Sequence, residues 1–278
     1  MPMSAAATWL NSFFSGYDEA LLSLLHKIAE AVGVVLTPLM KLITLLGEKG
    51  IIFFLLALVF MCFSRTRRLG VCIFGAVCCG ALITNLILKD AIARPRPFVS
   101  SDQFRQWWVA LGSPAEDGFS FPSGHVTAAA AGMTAISLMK GKRWILPSVL
   151  VVFIMGVARN YLMAHYPSDV LFAVIVGVFS GVAAFIITRL IFTFLEDRSD
   201  TPVFALILDY DLPLRLPDIS SLRSGKRGSA ARPSSHSASA PRTTRRTGGA
   251  ARPSAHSASA PRTTGRTGGA GYRGKHER

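Results

Sequence analysis

Long apolar runs, interrupted by charge, glycine or proline, restrict this chain more than any other feature. They cover residues 51–63, 69–88, 126–139, 144–164 and 170–195. Most approach the roughly 20 residues that an α-helix needs to cross a bilayer. In hydrocarbon every backbone N–H and C=O must find its partner inside the protein, which a helix achieves within one segment. The run at 51–63 is short and spans only if residues 47–50 sit in the headgroup layer. Residues 18–46 are ambiguous: Leu21, Leu22, Leu24, Leu25 and Ile28 form a helical stripe, while His26, Lys27, Glu30 and Lys41 interrupt it. Pro38 kinks any continuous helix there. That leaves a kinked first span, the preferred reading, or two helices along the interface. The expectation is an all-α, polytopic membrane helix bundle of about six spans. Composition agrees: half of the residues are hydrophobic, 17% are charged and mean hydropathy is +0.40, away from soluble globular averages. The first 17 residues lack a cationic stretch ahead of an apolar one, so a cleaved secretory signal is not expected. Cys62, Cys72, Cys78 and Cys79 all fall within the expected spans and read as small buried groups, not as a disulfide or zinc framework.

The net charge of +14 is unevenly placed. Residues 219–278 hold 13 Lys and Arg against the single Glu277, which accounts for +12 of it. The composition of residues 199–278 shifts to Ser, Ala, Arg, Pro, Thr and Gly, and a 20-residue unit beginning Ala231-Arg232-Pro233-Ser234 is repeated from Ala251. With few large apolar side chains, such a tail cannot bury enough surface to offset ordering entropy and is expected to be disordered. Two domains follow: a membrane-embedded domain over 1–198 and a low-complexity basic tail over 199–278. Anionic lipid or nucleic acid are candidate partners for the tail, against the plainer reading of a solubilising extension with no fixed partner. The patch at 203–208 has no assignment from sequence.

Loop charges orient the spans. Arg65, Arg67 and Arg68, then Lys140, Lys142 and Arg143, then the tail lie on one side, which the positive-inside rule makes cytoplasmic. Residues 89–125 and 159–169 are then extracytoplasmic, yet they carry Lys89, Arg94, Arg96, Arg105 and Arg159. Cations kept on the disfavoured side point to an anionic partner.

Three clusters in these outer segments carry chemistry. Pro122-Ser123-Gly124-His125 opens an Ala- and Gly-rich run: Ser123 suits a helix N-cap, the first-turn N–H groups suit an anion, Gly124 permits close approach, and His125 offers a titratable proton. His165 and Asp169 are spaced i to i+4 around Pro167, a spacing that lets a carboxylate orient an imidazole, and Arg159 precedes them. Lys89 and Arg96 stand seven apart, with Arg96 held between Pro95 and Pro97. Arg supplies a planar fork to phosphate oxygens and Lys a point charge. Each cluster also has a structural reading: helix punctuation for the first, a surface His with a dipole-stabilised Asp for the second, snorkelling interfacial cations for the third.

Taken in order, K-x6-R-P, P-S-G-H and R-x5-H-x3-D resemble the type 2 phosphatidic acid phosphatase family, whose site is related to that of vanadium haloperoxidases. The resemblance covers roughly residues 50–195. It implies a phosphate clamp of Lys89, Arg96 and Arg159 aided by Ser123 and Gly124, with His165 as nucleophile, Asp169 orienting it, and His125 as general acid. No metal or other cofactor is implied. Family members often have Ser before the third motif's Arg, where this chain has Ala158. Arg94 and Asp90 match no family role and read as structural. The implied reaction is hydrolysis of a lipid phosphate or diphosphate at the outer face of the plasma membrane, the inner membrane of a bacterium, with membrane lipids as surroundings and the tail in the cytoplasm. Trp107, Trp108, Phe119 and Phe121 suit that interface. Undecaprenyl diphosphate is the preferred substrate. Phosphatidylglycerophosphate, phosphatidic acid, diacylglycerol diphosphate and transfer to another lipid alcohol are the alternatives. A transporter or membrane anchor whose tail binds nucleic acid or anionic lipid is the non-enzymatic reading.

Overall fold

A computed structural model describes residues 3–212; the duplicated repeat and most of the basic tail lie outside the described residues. Every regular element among the described residues is helical. α1 (Ala5–Phe13) and α2 (Ser15–Leu46) lead through the short turn Glu48–Gly50 to α3 (Ile51–Met61). α4 (Ser64–Leu82) runs on as a π-helical stretch, Ile83–Leu88, into α5 (Lys89–Ile92). The short helices α6 (Pro97–Ser100) and α7 (Asp102–Ala110) precede a loop that ends at Ser123. α8 (Gly124–Lys140), α9 (Ile145–Tyr161), α10 (Pro167–Glu196) and α11 (Pro202–Asp209) complete the order.

α4, α8 and α10 form the centre, and small residues allow it. Along α10 the buried positions Ala173, Gly177, Ser180, Gly181, Ala184 and Thr188 repeat at three- and four-residue steps, one face of a helix. A Cβ on Gly177 would stand 2.5 Å from Ala130 Cβ, and one on Gly181 2.6 Å from Thr134 Cβ. This Gly-x3-Gly pair therefore brings the α10 backbone directly onto α8, the packing that serves where lipid offers no hydrophobic drive between helices. The large apolar side chains point the other way: Ile175, Phe179, Ile186 and Leu190 are all more than half exposed. An apolar exterior over a small-residue interior is the inverse of a soluble bundle, and hydrocarbon is the solvent that suits it.

Four segments are long and apolar enough to cross a membrane: Ser15–Met61, Ser64–Ser100, Lys142–Tyr161 and Pro167–Glu196. All six runs read from the sequence are helical, but α3 and α8 are short by themselves. α3 has 11 residues, about 16 Å at 1.5 Å per residue, half of a roughly 30 Å core. The turn ahead of it packs onto the bundle through buried Gly50: a Cβ there would lie 3.0 Å from both Ala128 Cβ and Val77 Cγ1, one helical turn below His125. The backbone break in α2 falls at Val32 (φ −133°, ψ 16°), not at Pro38. A proline ring clashes with the carbonyl four residues earlier, so the distortion is relieved upstream, where Gly33 follows Val32.

The segment at 203–208 also finds a place. It forms α11, and its end is tied to the α3–α4 turn: Arg67 Nη1 donates to Leu208 O at 2.9 Å, Ser64 Oγ to Asp211 Oδ2 at 2.9 Å, and Leu212 N to Cys62 O at 3.0 Å. Ordered structure thus continues past residue 198.

Candidate active site

The ends of α5, α8, α9 and α10 converge on one side of the bundle. Ala93, at φ +51°, stops α5, and Arg94-Pro95-Arg96-Pro97 leaves in extended form until Pro97 opens α6. Proline is accepted at a helix start because its missing N–H would have no partner there. The same logic places Pro167 at the first position of α10. Met163, at φ +56°, turns the chain between α9 and α10, burying residues 162–166 and with them His165.

His165 Nδ1 lies 2.7 Å from the carbonyl oxygen of Ser120. A carbonyl only accepts, so Nδ1 carries the ring proton and Nε2 keeps its lone pair. That lone pair faces Arg96, whose Nη1 is 3.3 Å away. Burial first, then the Arg159 and Arg96 guanidiniums, hold the imidazole well below its ordinary value of 6.5. His165 is therefore neutral at neutral pH. Asp169, expected to orient the ring directly, is 3.9 Å from Nδ1. It instead accepts from Ser120 Oγ at 2.5 Å and from Tyr166 N at 3.0 Å, so it fixes the residue whose carbonyl fixes the ring. Ser120 carries no motif signal, and its role depends on a backbone atom that any residue supplies.

Arg94 occupies the other side of Asp169. Its Nη1 donates to Asp169 Oδ1 at 2.5 Å and Ser168 Oγ at 2.8 Å, its Nη2 to Asp18 Oδ2 at 2.8 Å, and its Nε to Asn11 Oδ1 at 2.7 Å. The Tyr166 ring centroid is 3.9 Å from its Cζ. Asp18 also accepts from Ser168 N at 2.8 Å and Ser168 Oγ at 2.7 Å. This buried network ties α1 and α2 to the start of α10, in keeping with the structural reading of Arg94. Sequence reasoning missed Asp18 because its partners are 76 and 150 positions away.

Arg96 and Arg159 are held differently. Arg96 donates to the carbonyls of Gly118 (3.1 Å), Asp117 (2.8 Å) and Ala164 (3.0 Å), which aims its fork. Arg159 is fully buried, yet its Nε and Nη1 have no partner among the described residues, and neither has the buried Ser123 Oγ. Ser123 stands at the N-cap of α8 without a side-chain cap bond. Between the two guanidiniums sits Glu116, a residue not anticipated from the sequence: one oxygen is 3.4 Å from Arg96 Nη2 and the other bonds Arg159 Nη2. Lys89, Arg96, Gly124, His125, His165 and Glu116 all line one cavity of about 820 Å³. His125, ahead of the apolar run that starts at Val126, is pushed down to about 3 by burial first and then by Arg159, Arg96 and Lys89. The arrangement presents a neutral imidazole lone pair, a second imidazole and several N–H and O–H donors to one space, which is what an oxyanion with a reactive centre requires.

Comparison with known proteins is consistent with this chemistry. Residues 68–192 match the family model of the PAP2 superfamily. The chain is 35% identical over 130 residues to the lipid A 1-phosphatase of Rhizobium johnstonii, covering 44% of this chain and 49% of that one. It is 36% identical over 111 residues to the lipid A 1-phosphatase of Rhizobium etli, covering 37% and 43%. The chain thus spans about half the length or less of the curated relatives it matches. Among solved structures it is similar to Aquifex aeolicus LpxE (23% identity, TM-score 0.46, 59% of this chain and 93% of that chain). It is also similar to a PAP2 type phosphatidylglycerolphosphate phosphatase from Bacillus subtilis (20% identity, TM-score 0.42, 70% and 98%). Lys89, Arg96, Ser123, Gly124, His125, Arg159, His165 and Asp169 all fall within the stretch that matches the PAP2 superfamily.

Proposed function

We propose that this chain is a membrane-embedded phosphatase that hydrolyses a lipid phosphate or diphosphate through a phosphohistidine on His165. The observation that carries the reading is that buried donors are left without partners around the cavity: Arg159 Nε and Nη1, on a guanidinium that shares Glu116 with Arg96, and Ser123 Oγ, next to cavity-lining Gly124, while Arg96 faces the Nε2 lone pair of a neutral His165. Buried polar groups are nearly always paired, so these leftover donors call for an anion.

A phosphoryl group held by Lys89, Arg96 and Arg159 is attacked at phosphorus by His165 Nε2. The N–P bond forms as the P–O bond to the lipid breaks, and His125 gives its proton to the departing oxygen. Water then attacks the phosphohistidine, His125 takes the water proton, the N–P bond breaks and inorganic phosphate leaves. Acid-base assistance of this kind is worth about 10² to 10⁴ in rate. His125 must be protonated for the first step, against its low pKa in the free protein. Burial lowers it most and the cations next; a bound phosphate dianion supplies an opposite charge that favours the protonated ring, so substrate moves the acid toward its working form. Glu116 must leave the clamp as phosphate enters.

The substrate is a lipid because the cavity lies among the ends of apolar helices, and α7, which carries Trp107 and Trp108, leads into the loop that lines it. Undecaprenyl diphosphate is one candidate. Lipid A, named by the Rhizobium relatives, is the second, favoured by their identity to this chain. The positive-inside argument puts the site on the extracytoplasmic face of the plasma membrane and the tail, with its candidate anionic partners, in the cytoplasm. The test is phosphate release from a panel of purified lipid phosphates, wild type against His165→Ala. Release is expected to fall to the uncatalysed level in the variant. Full activity in His165→Ala would remove the nucleophile, and no release from any lipid by the wild type would favour the transporter or anchor reading.

A further inference from the structure

We infer that Lys41, Thr44 and Lys49 form a second anion subsite in the same cavity, one that takes a second phosphate of the substrate headgroup. The inference rests on the lipid-phosphatase reading. A cavity of about 820 Å³ is far larger than one phosphoryl group, and one of its walls is built by the end of α2 and the turn that follows. Lys41, Thr44 and Leu45 line it, and their spacing of three and four residues puts them on one face of α2, while Glu48 lines it from the turn. Lys49 lines it too, held at φ +49° between Gly47 and Gly50, a conformation that non-glycine residues seldom adopt.

Three observations mark this face as built for an anion. Thr44 is buried, 6% exposed, and its Oγ1 has no hydrogen-bond partner, although a helical threonine can ordinarily donate to the carbonyl four residues back. Lys41 interrupts an otherwise apolar stretch, a costly place for an ammonium group unless it has a task. Neither Lys41 nor Lys49 takes part in an ion pair among the described residues. The Lys41 ammonium instead lies 3.2 Å from the position that a Cβ on Gly112 would fill, where the glycine leaves it room at the cavity wall. Glu48 lines the same wall from the turn, so the wall carries a single net positive charge that loss of Lys41 would cancel. Glu116, which also lines the cavity, is already engaged with Arg96 and Arg159. A headgroup with one phosphate in the Arg96–Arg159 clamp therefore finds a second cationic wall for another.

The second phosphate can come from a diphosphate or from a separate position on a larger headgroup. The full chain in detergent is assayed on three lipids: a monophosphate, the diphosphate of the same chain, and a saccharide lipid with two separated phosphates. For Lys41→Met the ratio of kcat/KM, two-phosphate lipid over monophosphate, is expected to fall about tenfold, equivalent to about 1.4 kcal/mol. Thr44→Val, which keeps the shape, is expected to lower it about threefold. The arm that responds identifies the source. A ratio unchanged in both variants and both arms overturns the subsite. If the wild type releases phosphate from none of the lipids, the phosphatase reading fails on its own. The subsite is then judged by titration calorimetry with inorganic pyrophosphate and inorganic phosphate. A pyrophosphate preference that Lys41→Met erases supports it, and equal wild-type affinity for the two overturns it.

Discussion

Arg94 and Arg159 are both buried guanidiniums within the same cluster of helix ends, and their surroundings differ in kind. Every nitrogen of Arg94 has a fixed partner, two of them carboxylates, and an aromatic ring covers its face. Arg159 meets one carboxylate, Glu116, and keeps two nitrogens unpartnered. Glu116 comes from the loop before α8 and is partly exposed, so it can leave, whereas Asp18 and Asp169 are held by hydrogen bonds of their own. A saturated cation is a structural part. An under-saturated one next to a cavity is kept ready for a ligand, at a cost in stability that the rest of the fold must carry.

The same substitution at both positions is the strongest way to break this contrast. Arg94→Met strands the buried Asp18 and Asp169 carboxylates and should cost roughly 3–5 kcal/mol of stability, read from unfolding in detergent. Arg159→Met conserves volume and should cost less than about 1.5 kcal/mol, while kcat/KM for a lipid phosphate falls about 10² to 10³-fold. Equal destabilisation by the two changes would erase the distinction. Glu116→Gln sharpens it. With the competing charge gone, inorganic phosphate should inhibit at about tenfold lower concentration, about 1.4 kcal/mol. Loss of turnover with no tightening of phosphate would instead make Glu116 a participant in the chemistry.

A different readout of the same contrast is pH. His125 and His165 are depressed in the folded protein, so between pH 6.5 and about 3 the unfolded chain binds more protons than the folded one. Stability should be complete above pH 6.5 and decline as pH falls toward 3. His125→Asn should flatten that decline by about one proton's worth of slope, measured as the pH dependence of the unfolding midpoint.

Much of this arrangement was legible in advance because its signals are local. Apolar runs gave the helices, and the prolines at 95, 97 and 167 marked where helices stop and start. Other features depended on distance through space. The loop glutamate had no pattern to announce it, and Asp18 lies in a segment whose course was itself ambiguous. The i to i+4 spacing of His165 and Asp169 suggested direct contact, yet the first turn of α10 places Ser120 between their roles. The length of α3 was readable, but the packing of Gly50, just ahead of it, against Val77 and Ala128 was not.

By itself the sequence determined that the chain is a helical membrane protein and that three charged motifs lie at the ends of its apolar runs, because hydropathy and helix-end chemistry are sums over neighbouring residues. The tertiary structure decided which carboxylate each arginine meets, which ring nitrogen of His165 carries the proton, and which donors are left without a partner. Electrostatic and hydrogen-bond energies depend on separations of a few ångströms, and no reading along the chain fixes those.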